Sequence, residues 1–174
     1  MDDMSGVFVG AFVVIYLIAL LISIGIAVVK TIAMWKLFEK AGEPGWKSLI
    51  PFYNFFEMTR LATGKYTIAI VYCVLIVPYM ICYMLGSFMQ AFSDGENAGV
   101  LATSLILVGV SMLALLAIYV LFAYINYKFA QSYGKSTGFC IAMIFLSTIM
   151  TVVMGFDRNT YYVGPNGIQE EKYY

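Results

Sequence analysis

Residues 7–29 read VFVGAFVVIYLIALLISIGIAVV, an uncharged run closed by Lys30. About 20 apolar residues cross the hydrocarbon of a bilayer as a helix, so this run is long enough to span. The rest of the chain fits a membrane setting. Of its 174 residues 62% are hydrophobic and 11% charged, against about 25% charged in soluble domains. A water-soluble fold of this size has no means of hiding so much apolar surface. A secretory signal peptide would place positive charge before a shorter core. Here Asp2 and Asp3 precede the run and Lys30 follows it, which predicts a retained membrane anchor of reversed orientation.

Three more apolar runs follow, at about 66–92, 100–127 and 138–156. The first of these carries Pro78, which neighbouring helices can accommodate in a membrane. The sequence therefore predicts an all-α membrane protein, one transmembrane domain over 1–174. It has four transmembrane helices plus one interfacial or re-entrant amphipathic helix at 46–63, within a cytoplasmic interfacial segment 31–65. Lys30, Lys36, Lys40, Lys47, Arg60, Lys65, Lys128 and Lys135 fall between spans one and two or three and four; Arg158 and Lys172 fall on the other side. Basic loops face the cytoplasm. Four spans then put both termini and the tail 157–174 outside. A fifth span over 46–63 would carry Asn54, Glu57 and Arg60 into hydrocarbon, at a few kcal/mol for each charge.

The chain repeats itself in one place. WKLFEKAGEPGW starts at Trp35 and YKFAQSYGKSTGF starts at Tyr127. Lys36 matches Lys128, Glu39 matches Gln131, Gly42 matches Gly134, and Gly45-Trp46 matches Gly138-Phe139 after a one-residue insertion. Each block follows an outside-to-inside span, so the pattern predicts a parallel repeat of helix, basic glycine turn and second helix, a design known in transporters. Gly42 suits a left-handed helix end, Glu43-Pro44-Gly45 suits a turn, and Pro51 suits the first turn of the next helix. Trp46 and Tyr53 favour headgroup depth.

KAGEPGWKSLIPFYN, read with YGKSTGFCIAMIFLSTIM and the tyrosine-bearing tail, resembles a family of small bacterial multi-pass proteins known as a domain of unknown function. Some relatives carry the label signal peptidase I. The resemblance covers about 35–165 and implies a bacterial membrane location and no particular activity. Relatives carry a proline in the last helix; FLSTIM, 145–150, has none, so no kink is expected there. The peptidase label conflicts with chemistry. A Ser–Lys hydrolase needs its lysine within hydrogen-bond reach of the serine, and on the predicted outer side the only lysine is Lys172.

Several residue sets are candidates for binding. Trp35, Lys36, Lys40, Trp46, Lys47 and Tyr53 could hold anionic lipid head groups or a partner. Asn54, Glu57 and Arg60 share one helical ridge; with Asn126 at similar depth, and with Lys128, they form a polar pocket or a solvated face with a structural ion pair. Tyr72, Tyr79 and Tyr83 form one stripe and Cys140, Ser147 and Thr151 another; they would line a pore or pack helices. Gly6 with Gly10, and Gly138 with Ala142, mark close helix contacts. Cys73, Cys82 and Cys140 lie in apolar runs and read as small hydrophobes.

The absences narrow the function. There is no histidine, no carboxylate inside any predicted span, and no paired carboxylates, phosphate loop or metal cluster. Net charge is zero, which gives nucleic acid no electrostatic footing. The expectation is a non-enzymatic inner-membrane protein without metal or cofactor. Its partners would be lipids and a homo-oligomer or a membrane complex. The alternatives are an oligomeric channel or facilitator for a small solute, and an immunity-type protein or lipid-headgroup enzyme.

Overall fold

The computed structural model describes residues 2–92 and 98–167, with side chains from residue 8 onward. Every described element is helical: α1 Asp2–Lys40, a short 3-10 turn Gly45–Leu49, α2 Pro51–Thr63, α3 Thr67–Ala91, α4 Ala98–Ser132, α5 Thr137–Phe145, α6 Ser147–Phe156, and a 3-10 turn Pro165–Gly167. Three helices, α1, α3 and α4, are long and apolar enough to cross a membrane. Pro78 sits inside α3 without ending it. α3 packs antiparallel along α4 through Gly86, where a Cβ would lie 3.0 Å from Val108 and 3.2 Å from the Ser104 carbonyl. Ser104 and Ser111 are buried, and their hydroxyls turn back to the Leu101 and Val108 carbonyls of their own helix. The seam is thus closed by small residues, with the Ser104 and Ser111 hydroxyls paired.

The fourth apolar run is not one long helix. It forms two helices that meet at Leu146 (φ −117, ψ 40), so the expected unkinked span over 138–156 is replaced by a hairpin. α5 leaves the end where α4 stops. α6 returns to that end, because Lys40 at the end of α1 donates to the Met154, Gly155 and Asp157 carbonyls at 3.0, 3.1 and 2.6 Å. The lysine satisfies the orphan carbonyls of α6 and opposes its negative end. The tail follows suit: Tyr162 Oη donates to the Leu61 carbonyl, Val163 N–H to the Ser132 carbonyl, and Lys135 pairs with Asp157 at 2.8 Å. The described tail, 157–167, therefore lies at the end that holds 31–65, not at the opposite end. Two further helices of nine and ten residues are each about 14–15 Å long; neither is long enough to span.

The segment 46–63 also dips and returns. Leu49 lies with Ile24, Ala27, Val28 and Thr31 of α1, and Pro51 begins α2 beside Lys30. The other hairpin places Thr148 and Ile149 beside Ile22, Gly25 and Ile26. Both tips thus lie along the apolar stretch 7–29 of α1.

The repeat is a structural fact at the glycine turns. Gly42 N–H donates to the Glu39 carbonyl and Glu43 N–H to the Phe38 carbonyl; Gly134 N–H donates to Gln131 and Lys135 N–H to Ala130. Gly42 (φ 77) and Gly134 (φ 66) are both left-handed, the helix ending that lacks a penalty only for glycine. Burial repeats as well. Ala33, Met34, Leu37 and Phe38 are buried, as are their counterparts Ile125, Asn126, Phe129 and Ala130. The halves interlock, with α1 packed on α6 and α4 packed on α2. Their shared core joins Met34, Leu37 and Phe38 to Leu61, Phe129 and Met154.

Candidate functional site

Two polar clusters form at the basic end, and they differ in kind. The first is an ion network between the 3-10 turn and α2. Lys47 pairs with Glu43 at 2.6 Å and with Glu57 at 2.7 Å. Arg60 hydrogen-bonds Glu43, and its Nε lies 2.7 Å from Glu57 Oε2 in an ion contact rather than a hydrogen bond. Glu57 is only 1% exposed, so two cations close a carboxylate that burial alone would penalise. The hydrogen bond from Lys47, aided by Arg60, holds the Glu43 carboxyl below its ordinary range. Glu43 and then Glu57 raise Lys47. Two positive and two negative charges cancel, and the network fixes the turn with no charge left over.

The second cluster surrounds a cavity of about 150 Å³ between α1, α2, α4 and α6. Most of its lining comes from matching positions of the two halves. Lys30 and Met34 of α1 correspond to Phe122 and Asn126 of α4. With the one-residue insertion, Asn54 and Met58 of α2 correspond to Ser147 and Thr151 of α6. Pro51 and Ser147 are the first residues of α2 and α6, so two helix starts meet at this cavity. The residue before each is apolar, Ile50 and Leu146, and neither helix has a side-chain cap. Ser, Thr, Asp or Asn usually stands there to accept a first-turn N–H. The first-turn N–H groups of an α-helix have no acceptor within their own helix, and here no side chain caps them. Pro51 has no N–H to satisfy.

The side chains around the cavity keep unused capacity. Lys30 makes no hydrogen bond or ion pair with any described residue, and no acidic residue lines the space. Asn126 is 2% exposed and donates its Nδ2 to the Phe122 carbonyl at 2.8 Å. Asn54 donates its Nδ2 to the Ser48 carbonyl at 3.2 Å. Each amide oxygen remains without a partner among the described residues. Thr151 turns its hydroxyl to the Ser147 carbonyl at 2.6 Å, and the Ser147 hydroxyl has no partner there.

The sequence candidates are redistributed among these features. Of the expected pocket, Asn54 and Asn126 line the cavity, while Glu57 and Arg60 belong to the ion network. Lys128 does neither: it donates to Gln131 Oε1 at 3.0 Å and lies over the Tyr124 ring. Of the expected lipid-binding set, Lys40 caps α6 and Lys47 is spent in the network. Trp35 covers Gly45 and donates to Glu39 at 2.6 Å; any Cβ on Gly45 would sit 2.2 Å from its ring nitrogen. Lys36 is exposed and stands 4.0 Å over the Phe156 ring. Trp46 and Tyr53 stack at 5.9 Å, about half exposed. The two polar stripes do not face each other. Tyr72 packs at a tilt against Phe55, and Tyr79 stacks on Tyr83. Cys140 is buried at the turn with its thiol toward the Lys135 carbonyl, while Ser147 and Thr151 enter the cavity. A Cβ on Gly10 or Gly138 would meet nothing within 4 Å.

Lys30 and Glu43 went unrecognised as site residues. Lys30 reads in the sequence as the stop at the end of an apolar run. A signal for it existed: it aligns with Phe122 in the repeat, one turn before Asn126. No family model, curated protein or solved structure matches this chain.

Proposed function

We propose that this is a non-enzymatic multi-pass protein of the bacterial inner membrane that binds a small polar ligand in the cavity between its two hairpins, from the cytoplasmic side. The observation that carries this reading is the convergence of two uncapped helix starts on one cavity, within a turn of the apolar stretch of α1. Backbone N–H groups near hydrocarbon have no bulk water to bond, and irregular backbone is tolerated there where it lines a polar cavity. Broken helices whose starts aim at a ligand are a recurrent design of membrane binding sites, as is their origin in an internal repeat.

Sidedness supports the cytoplasmic assignment. Lys30, Lys36, Lys40, Lys47, Arg60, Lys65, Lys128, Lys135 and Arg158 all gather at the end that holds the turns and the described tail. Basic residues near span ends favour the cytoplasm. With three crossings, the start of α1 is then outside and the described tail inside. The exposed Trp46–Tyr53 stack and Lys36 suit the headgroup layer beside the site. The bare face of α1 leaves room for self-association or a membrane partner.

The test is the wetness of the cavity. In a background with Cys73, Cys82 and Cys140 replaced by Ala, Ser147→Cys should react with a charged, membrane-impermeant thiol reagent in inside-out vesicles. It should not react in right-side-out vesicles. An unreactive thiol in denaturant-sensitive, folded protein would mean a dry packing seam and would overturn the reading.

A further inference from the structure

We infer that the cavity takes a hydroxylated phosphate ester of phosphoglycerol type. This rests on the cavity being a ligand site, as proposed above, and adds the ligand's chemistry. Three observations specify it. The only charge in the lining is Lys30, which has no counter-ion among the described residues. The two uncapped helix starts add first-turn N–H donors, and both helices turn their positive ends to the same space. Donors, a cation and two positive helix ends together call for an anion with several oxygens. A carboxylate offers two oxygens; a phosphate offers more, and so engages both helix starts and Lys30 together.

The other half of the lining asks for the opposite. The Asn126 amide is almost fully buried, with its nitrogen committed to Phe122 and its oxygen free to accept. The Asn54 amide is committed in the same sense to Ser48. Two open acceptors beside an anion site are complementary to hydroxyl groups on the ligand. Met34, Met58, Phe55 and Phe122 complete a wall against which a short carbon skeleton can lie. The volume of about 150 Å³ equals roughly five waters at ~30 Å³ each. That admits a head group and leaves no room for an acyl chain.

Phosphoglycerol can arrive from two sources, as the head group of phosphatidylglycerol or as free glycerol phosphate. The experiment separates them. Purified protein in a neutral detergent is titrated with glycerol 3-phosphate, inorganic phosphate and glycerol. In parallel it is placed in nanodiscs of phosphatidylglycerol or phosphatidylcholine. Binding is read by calorimetry for the soluble probes and by thermal unfolding for the lipids. The expected result is binding of glycerol 3-phosphate or stabilisation by phosphatidylglycerol, with glycerol and phosphatidylcholine inert. The arm that responds names the source. Lys30→Gln should weaken that response about tenfold or more, as expected for a charged hydrogen bond, and Lys30→Arg should retain most of it. Asn126→Leu should cost affinity for glycerol 3-phosphate more than for inorganic phosphate. Unliganded melting of each variant checks that it folds. If no phosphate probe responds, or Lys30→Gln responds like the parent, or glycerol binds as well as its phosphate, the inference is overturned. The Ser147→Cys labelling then decides separately whether the cavity is still a ligand site.

Discussion

Residues 33–43 and 125–135 share burial, a left-handed glycine and the same pair of turn hydrogen bonds. At the far end of the same two helices the likeness stops. α4 buries Ser104, Ser111 and Ile118 on one face, with α3 laid along it. The matching face of α1 is Phe12, Ala19 and Ile26, and α1 is exposed from Phe8 to Val29. α3 has no counterpart among the described residues of the second half. The repeated unit is therefore a long helix, a glycine turn and a broken return, rather than half of the protein. Its two copies hold each other at the basic end, and the outer part of α1 contributes length and apolar surface for the bilayer.

The comparison breaks outright if the two returns lie on different sides. Single cysteines at Lys65 and Asn159, each exposed, should both label from the cytoplasmic face; labelling from opposite faces would restore a fourth crossing. Next in size is the charge network, which only the first copy has. Glu57→Gln leaves Lys47 and Arg60 to share the Glu43 carboxylate alone around a buried site and should cost about 3 kcal/mol. Met150→Leu, at the matching place on α6, should cost under about 1.5 kcal/mol. Unfolding in detergent followed by circular dichroism measures both, and equal losses would mean the network is decorative.

A smaller contrast concerns the two interlocking crossings. Gly155 meets Ala33 so closely that a Cβ would lie 2.7 Å from its backbone. The matching residue on α2 is Ala62, which already carries a Cβ and is fully buried. Gly155→Ala should lose about 2 kcal/mol by overpacking, and Ala62→Gly about 1 kcal/mol. The smallest effect is that of acid. Hydrogen bonds from Lys135 and Thr160 hold the Asp157 carboxyl below its ordinary value of 3.8, and Lys47 and Arg60 hold Glu43 below 4.5. Depressed carboxylates stabilise the fold above those ordinary values and lose that contribution as pH falls through the folded ones. Melting temperature should stay level from neutral pH to about 5 on this account and fall below 4.5. Asp157→Asn should remove part of that fall.

Much of the fold was legible from residue chemistry. The apolar runs announced the long helices, Pro51 the start of α2, and Gly42 and Gly134 the turns. The echo at Tyr127 announced the repeat, and the structure extends it into burial and backbone bonding. The candidate site was only half legible. Asn54 and Asn126 were paired by depth, but Lys128 was added by proximity in sequence and Lys30 was passed over. Periodicity places a residue on a face of its own helix. It does not say which other helix that face will meet.

The sequence by itself determined that this chain belongs in a membrane, how its long helices are bounded and where its positive charge lies, because these depend on local composition and spacing. The fate of 138–156 was decided only by tertiary structure. Hydropathy measures how apolar a run is, not the direction in which it travels, and no proline, glycine or charge stands at Leu146 to mark a reversal. The return is held instead by contacts distant in sequence: Gly155 against Ala33, Lys40 on the ends of α6, and Asp157 on Lys135. The same contacts bring Lys30, Asn54, Asn126 and Ser147 around one cavity.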